Sequence, residues 1–98
     1  MRASVPPNQP AGQDPHAERR RRIAFRAGRR GTHENDLLLG RFAEAHLAAM
    51  DVAELDAFEA ILDLPDVELF DWIAGRAAVP VEHDSVLLRR LVIESRGR

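Results

Sequence analysis

From residue 14 onward, apolar positions recur at helical spacing, and no run alternates with the two-residue period of a half-buried strand. Asp14 followed by Pro15 has the form of a cap and a first helical position, which predicts a first helix to about Ala27, stopped by Gly28. Thr32 stands where it can cap a second helix over 33–49. Asp51 with Glu54 is a capping-box pattern for a third helix over 52–63, carrying Leu55, Phe58 and Leu62 at helical spacing. Pro65 opens a short fourth helix that ends near Gly75 and holds Leu69, Phe70, Trp72 and Ile73. Beyond Pro80 a fifth helix is predicted over 83–95, with Val86, Leu87, Leu91 and Glu94. The fold class is therefore all-α, a small five-helix bundle. Residues 1–14 show no apolar period and include Pro6, Pro7 and Pro10, so a disordered Pro-rich lead is expected before one helical domain over 15–98.

Projected at 100° per residue, the second helix places Leu38, Phe42, Ala45 and Ala49 in one narrow stripe, the expected core face. Leu38, Phe42, Phe58, Leu62, Phe70 and Leu91 are expected to be buried, and Trp72 largely so. Glu34, Leu37, Arg41 and Ala48 fall on a neighbouring strip that the core need not use. An exposed Leu between a Glu and an Arg is compatible with a partner surface. On the sequence pattern alone, a boundary Leu shielded by the methylenes of Arg41 is the better reading.

Composition narrows the function classes. A chain of 98 residues holds one small domain and cannot contain a dinucleotide fold plus a substrate domain. There is no Cys, which excludes disulfides, a thiol nucleophile and thiolate metal sites. The net charge of −2 hides a split. Residues 1–31 carry eight Arg against Asp14 and Glu18, whereas residues 32–98 carry six Arg against fourteen acids. A chain divided in this way suits a macromolecular partner better than a small solute. No stretch reaches the ~18 apolar residues of a membrane span, and no signal-type apolar run opens the chain. The expected location is the cytoplasm, and the Arg-, Ala- and Gly-rich, Lys-free composition suggests a bacterial source.

The usual catalytic constellations are missing. His83, Asp84 and Ser85 are consecutive and would point about 100° apart on a helix, so they cannot close a triad. His16, His33, His46 and His83 contain no i,i+4 pair, which leaves a metal site unsupported. His46 reads as a boundary residue beside the apolar stripe. Gly28 and Gly31 do not make a phosphate-cradling loop, and no strand precedes them. Glu54 and Glu59 lie on charge-dense helices where solvated faces are the default. The expectation is a protein that is not an enzyme. The run Arg19–Arg22 with Arg26, Arg29 and Arg30 sprays around a helix instead of forming one groove-reading face, and Phe25 is the only aromatic nearby. A solvated or partner-facing Arg cluster is the better reading, with no nucleic acid as partner.

The stretch Arg30-Gly31-Thr32-His33-Glu34 fits an R-G-x-x-E pattern, followed by Asn35-Asp36-Leu37-Leu38-Leu39. Downstream come Phe58-x-x-x-Leu62 and then Pro65-Asp66-x-Glu68-Leu69-Phe70-x-Trp72. Over about residues 19–96 this arrangement resembles the succinate dehydrogenase flavinylation factors, the SdhE or succinate dehydrogenase assembly factor 2 family. Gly28 stands where relatives often carry a bulkier residue. The resemblance implies a five-helix assembly factor, a chaperone that binds the flavoprotein subunit of succinate dehydrogenase, and in some bacteria that of fumarate reductase. It implies promotion of covalent FAD attachment to that subunit, with no cofactor bound tightly by the factor itself and no membrane insertion. Its partner-binding residues would be Arg30, Gly31, Glu34, Leu37 and Arg41. Arg30 is expected on the surface, offering a planar fork to the partner; Gly31 would permit positive φ and close approach; Glu34 would sit favourably at the helix dipole. On spacing alone, the three motif residues can equally be a turn and a cap. Competing readings are a basic-helix nucleic-acid binder and a generic regulatory interaction module.

Overall fold

The computed structural model describes residues 14–96, so the expected lead over 1–14 lies outside the described residues apart from Asp14. The order of elements is α1 (Ala17–Ala27), α2 (His33–His46), a 3-10 turn (Leu47–Ala49), α3 (Val52–Leu62), α4 (Asp66–Ala74), a second 3-10 turn (Val81–His83) and α5 (Val86–Arg96). Five α-helices and no strand are found among the described residues. Helix α1 packs on α2 and α3, while α5 touches α2, α3 and α4.

Local signals explain most of the boundaries. The Asp14 carboxylate accepts from the His16 N–H at 2.9 Å and closes a turn, so regular helix begins at Ala17 rather than at Pro15. At α3 the capping box forms in both directions: Glu54 N–H donates to Asp51, and Asp51 N–H donates to the Glu54 carboxylate. Pro65 directly precedes α4, and Gly75 ends it in the left-handed region at φ +79°, where a Cβ would be strained. Thr32 occupies the cap position of α2 with extended backbone, yet its hydroxyl makes no capping bond. The fifth helix starts at Val86, later than expected, because Ser85 is its cap and accepts from Leu88 N–H at 3.1 Å. Helix α2 stops at His46, where the chain tightens into a 3-10 turn.

One contiguous core holds the bundle together. It gathers Ile23 and Ala27 from α1, Leu39, Phe42 and Ala43 from α2, and Leu55, Phe58, Ile61 and Leu62 from α3. Leu69, Trp72 and Ile73 from α4 and Leu87, Leu88 and Leu91 from α5 complete it, with Leu47 and Met50 between helices. The rings of Phe42 and Phe58 meet edge-on at 5.7 Å at its centre. The expected face of α2 is corrected here. Leu38 is only half-buried, and Ala45 and Ala49 are exposed; Asn35, Leu39, Phe42 and Ala43 form the inner face instead. Three consecutive Leu at 37–39 leave the stripe free to centre on any of them, and docking of α1 and α5 on either side of Phe42 selects Leu39. Phe70 is also half-buried rather than buried, while Trp72 is buried as expected and stacks on the His83 ring at 5.6 Å. His46 is a boundary residue that packs on Phe42 and meets Glu94 of α5 at 2.7 Å.

Removing the Phe58 ring leaves a cavity against Phe42, so Phe58→Ala is expected to lower unfolding free energy by about 3–5 kcal/mol in denaturant melts. Phe25 is 60% exposed, and Phe25→Ala is expected to stay within about 0.5 kcal/mol of the native chain.

Candidate functional site

Helices α1 and α2 are joined by a five-residue loop, 28–32, that contains the start of the motif. Gly31 sits at φ +100°, a conformation that L side chains rarely adopt, and a Cβ placed on it would meet nothing within 4 Å. The glycine is therefore required for backbone shape, and the space over it is open to an approaching chain.

Arg30 is not the exposed fork that the sequence suggests. Its side chain is 9% exposed, and its donors are spent inside the protein. Nε donates to the Asp66 carboxylate, Nη1 to the Leu62 carbonyl at 2.6 Å and Nη2 to the Leu64 carbonyl at 2.6 Å. Those carbonyls belong to the end of α3 and the turn behind it, where backbone acceptors lack intrahelical partners and a cation meets the negative end of the dipole. The Arg30 N–H donates to Asp36 at 2.6 Å, and Asn35 Nδ2 donates to both the carbonyl and the carboxylate of Asp66 at 3.1 Å. The guanidinium thus fastens the loop to the α3–α4 turn, and the Arg30 N–H and the Asn35 amide tie the first turn of α2 to the same point.

Burial raises the pKa of Asp66, but hydrogen bonds from Arg30 and Asn35 and the nearby positive charge outweigh it and hold the carboxyl below its ordinary value. The folded state therefore favours the ionised form. Asp66 contributes stability above about pH 4, and that contribution fades as pH falls through the lowered folded value.

The remaining motif residues do face outward. Glu34, in the first turn of α2, is exposed and makes no ion pair or side-chain hydrogen bond among the described residues. Leu37 is 43% exposed and Arg41 is exposed, also unpaired among the described residues. Glu34, Leu37 and Arg41 accordingly make an open strip along one side of α2, continued into the loop by Gly31, while Arg30 is held inside the protein as the anchor of that loop. Sequence reasoning missed Asn35 and Asp66 as the partners of that anchor. A polar residue on the inner face of α2 and an acid opening α4 were the available signals.

The Arg-rich segment is less free than it reads. Arg19 donates to Asp56 and Glu59 of α3, both at 2.5 Å, and Arg26 reaches Asp63 at 2.7 Å. Arg20 bonds Asp14 and the Leu47 carbonyl. The two acids once set beside each other are thereby accounted for, Glu54 in the α3 capping box and Glu59 on Arg19. Arg29 lies over the exposed Phe25 ring at 4.3 Å. Within the run, Arg19 and Arg26 stitch α1 to the acidic α3. His83, Asp84 and Ser85 go separate ways, onto Trp72, Arg89 and the α5 cap. Among the described residues, no group of three or more His, Cys, Asp or Glu could hold a metal ion, and no helix is long and apolar enough to cross a membrane.

These features define a small helical module with the unpaired groups of Glu34 and Arg41 on an exposed strip of one helix. The family model described as "Flavinator of succinate dehydrogenase" matches residues 21–94, and the chain belongs to that family. Among curated relatives, the chain is 49% identical over 86 residues to the "FAD assembly factor SdhE" of Acetobacter pasteurianus, covering 88% of this chain and 79% of that protein. It is 34% identical to "Succinate dehydrogenase assembly factor 2, mitochondrial" of Dictyostelium discoideum and 33% identical to that of Aedes aegypti. Each match covers 71% of this chain, and the chain spans 50% and 45% of those two relatives.

Because Arg30 holds three acceptors, Arg30→Ala is expected to lower stability by about 3 kcal/mol, as loss of one partner from a buried ion pair does. Arg30→Lys should restore little, since an ammonium cannot reach three acceptors in one plane. In acid titrations followed by circular dichroism, Asp66→Asn should flatten the loss of stability below pH 4 that the native chain shows.

Proposed function

We propose that this chain is an assembly factor that binds the flavoprotein subunit of succinate dehydrogenase in the cytoplasm and promotes covalent attachment of FAD to it, with the corresponding subunit of fumarate reductase as a second client. The single observation that carries the reading is the open strip of α2, with Gly31, Glu34, Leu37 and Arg41 presented over a rigidly held loop. Membership of a family described as the flavinator of succinate dehydrogenase supports a client within that enzyme. Glu34 and Arg41 offer opposite charges at either end of the strip, and Leu37 supplies an apolar contact between them. Gly31 leaves room for a partner backbone. Arg30 acts on this surface as a positioning residue, since its guanidinium is committed to Asp66 and two carbonyls.

On this reading the factor is not itself an enzyme and holds no flavin tightly. It acts by binding one arrangement of its client more strongly than others, and a binder can shift a conformational equilibrium only by that difference in affinity. The bond to FAD is then formed within the flavoprotein.

The experiment is complementation of a strain lacking the factor, with flavin fluorescence of the denatured flavoprotein subunit as readout. Glu34→Ala and Arg41→Glu are expected to keep melting within about 0.5 kcal/mol of the native chain, because both side chains are exposed and unpaired. Both should nevertheless reduce covalent flavin. Arg30→Ala should lose flavinylation and stability together. Full flavinylation by Glu34→Ala and Arg41→Glu at native expression would remove the strip as the interface. Failure of the native chain to co-purify with the flavoprotein subunit would remove the proposed client.

A further inference from the structure

Beside the strip, between the N-terminal turn of α2 and the outer face of α4, lies an open cavity of about 280 Å³. Thr32, Glu34 and Asn35 form one wall; Asp66, Val67, Phe70, Asp71 and Arg76 form the other. Two of these residues are unusual. Asn35 is 1% exposed, and its Oδ1 has no hydrogen-bond partner, although its Nδ2 is fully engaged with Asp66. Val67 is 74% exposed, an apolar side chain standing at an otherwise acidic rim. A buried carbonyl oxygen without a donor is unfavourable, and a donor brought to it relieves that cost.

The charge of the walls says which donor fits. Glu34, Asp66 and Asp71 contribute three carboxylates, of which Asp66 is already tightly paired with Arg30. Glu34 has no counter-charge among the described residues, and Asp71 has only a 3.4 Å contact to Arg76, whose side chain is 65% exposed. That same Arg76 lies over the Phe70 ring at 5.2 Å, so the chain's own arginine already shows that the floor accepts a guanidinium. A planar fork of five donors can serve acceptors that are spread over two walls, and an arginine stem can lie along Val67 and Phe70.

Resting on the proposed role as a factor for a flavoprotein, we propose that this groove receives an arginine side chain of that partner. Its guanidinium bonds Glu34, Asp71 and the unfilled Oδ1 of Asn35. The groove adjoins the strip through Glu34, so one face of the module would read both the partner backbone over Gly31 and a partner cation beside α4.

The test has two arms. In the first, the full-length 15N-labelled chain is titrated with N-acetyl-arginine methylamide and, separately, with the neutral citrulline analogue. Saturable shifts confined to Asn35, Val67, Phe70 and Asp71 with the arginine compound alone are expected, and they should vanish in Asp71→Asn. No localised shift, or the same shifts with citrulline, would mean that Oδ1 is met by water only and would overturn the proposal. In the second arm, binding of the purified flavoprotein subunit is measured by calorimetry for the native chain, Val67→Arg and Val67→Glu. Val67 is exposed, so neither change should disturb folding. Val67→Arg is expected to weaken binding by about tenfold or more by placing a like charge at the rim, while Val67→Glu should not. Equal binding by Val67→Arg would overturn the groove while leaving the client intact. If the native chain fails to bind the flavoprotein, the functional reading falls, and the first arm still decides whether the groove takes a guanidinium.

Discussion

The guanidinium of Arg30 is the interaction on which the remainder of the surface depends. A loop of five residues, with a left-handed glycine in its middle, has no regular hydrogen bonding to fix its shape. Arg30 supplies that shape from outside the loop by bonding the exposed carbonyls at the end of α3 and the first carboxylate of α4. Three elements distant in sequence are drawn to one point. The same bonds satisfy acceptors that the ends of helices leave open. Without the pin, the loop that carries Gly31 would lose its tie to α3 and α4, while Glu34, Leu37 and Arg41 would keep the spacing that α2 gives them.

Helix existence and most helix ends were legible in the sequence because each depends on neighbours along the chain. The Asp51–Glu54 box, Pro65 before α4 and Gly75 after it are local devices, and all are found in place. The inner face of α2 was not legible to better than one residue. Leu37, Leu38 and Leu39 are chemically equivalent, and only the positions of α1 and α5 decide which one is enclosed. Asn35 escaped for a related reason. A buried amide is recognised only by its partner, and Asp66 lies 31 residues further on.

The candidate site was partly legible. The strip of Glu34, Leu37 and Arg41 follows from helical projection and is exposed as expected. The place of Arg30 does not follow from any spacing, since an arginine in a loop can point to solvent or fold back. What decided it was the presence of acceptors at the end of another helix. The Arg-rich α1 gives the same lesson: its charge suggested an outside partner, yet Arg19 and Arg26 are paired with carboxylates of α3. Part of the charge asymmetry along the chain is here internal neutralisation between two helices.

Helix α1 buries only Ile23 and Ala27 of its eleven residues, and much of its remaining hold on the bundle is through ion pairs near the surface. Such pairs weaken with salt, whereas the apolar core does not. Salt therefore loosens the hold of α1 more than it loosens the packing of α2 to α5 around Phe58 and Leu91. Because Arg30 is tied to α3 and α4 rather than to α1, the loop of residues 28–32 keeps its anchor when that hold weakens. The molecule is thus divided into a clasp held in good part by ion pairs and a body held by apolar packing.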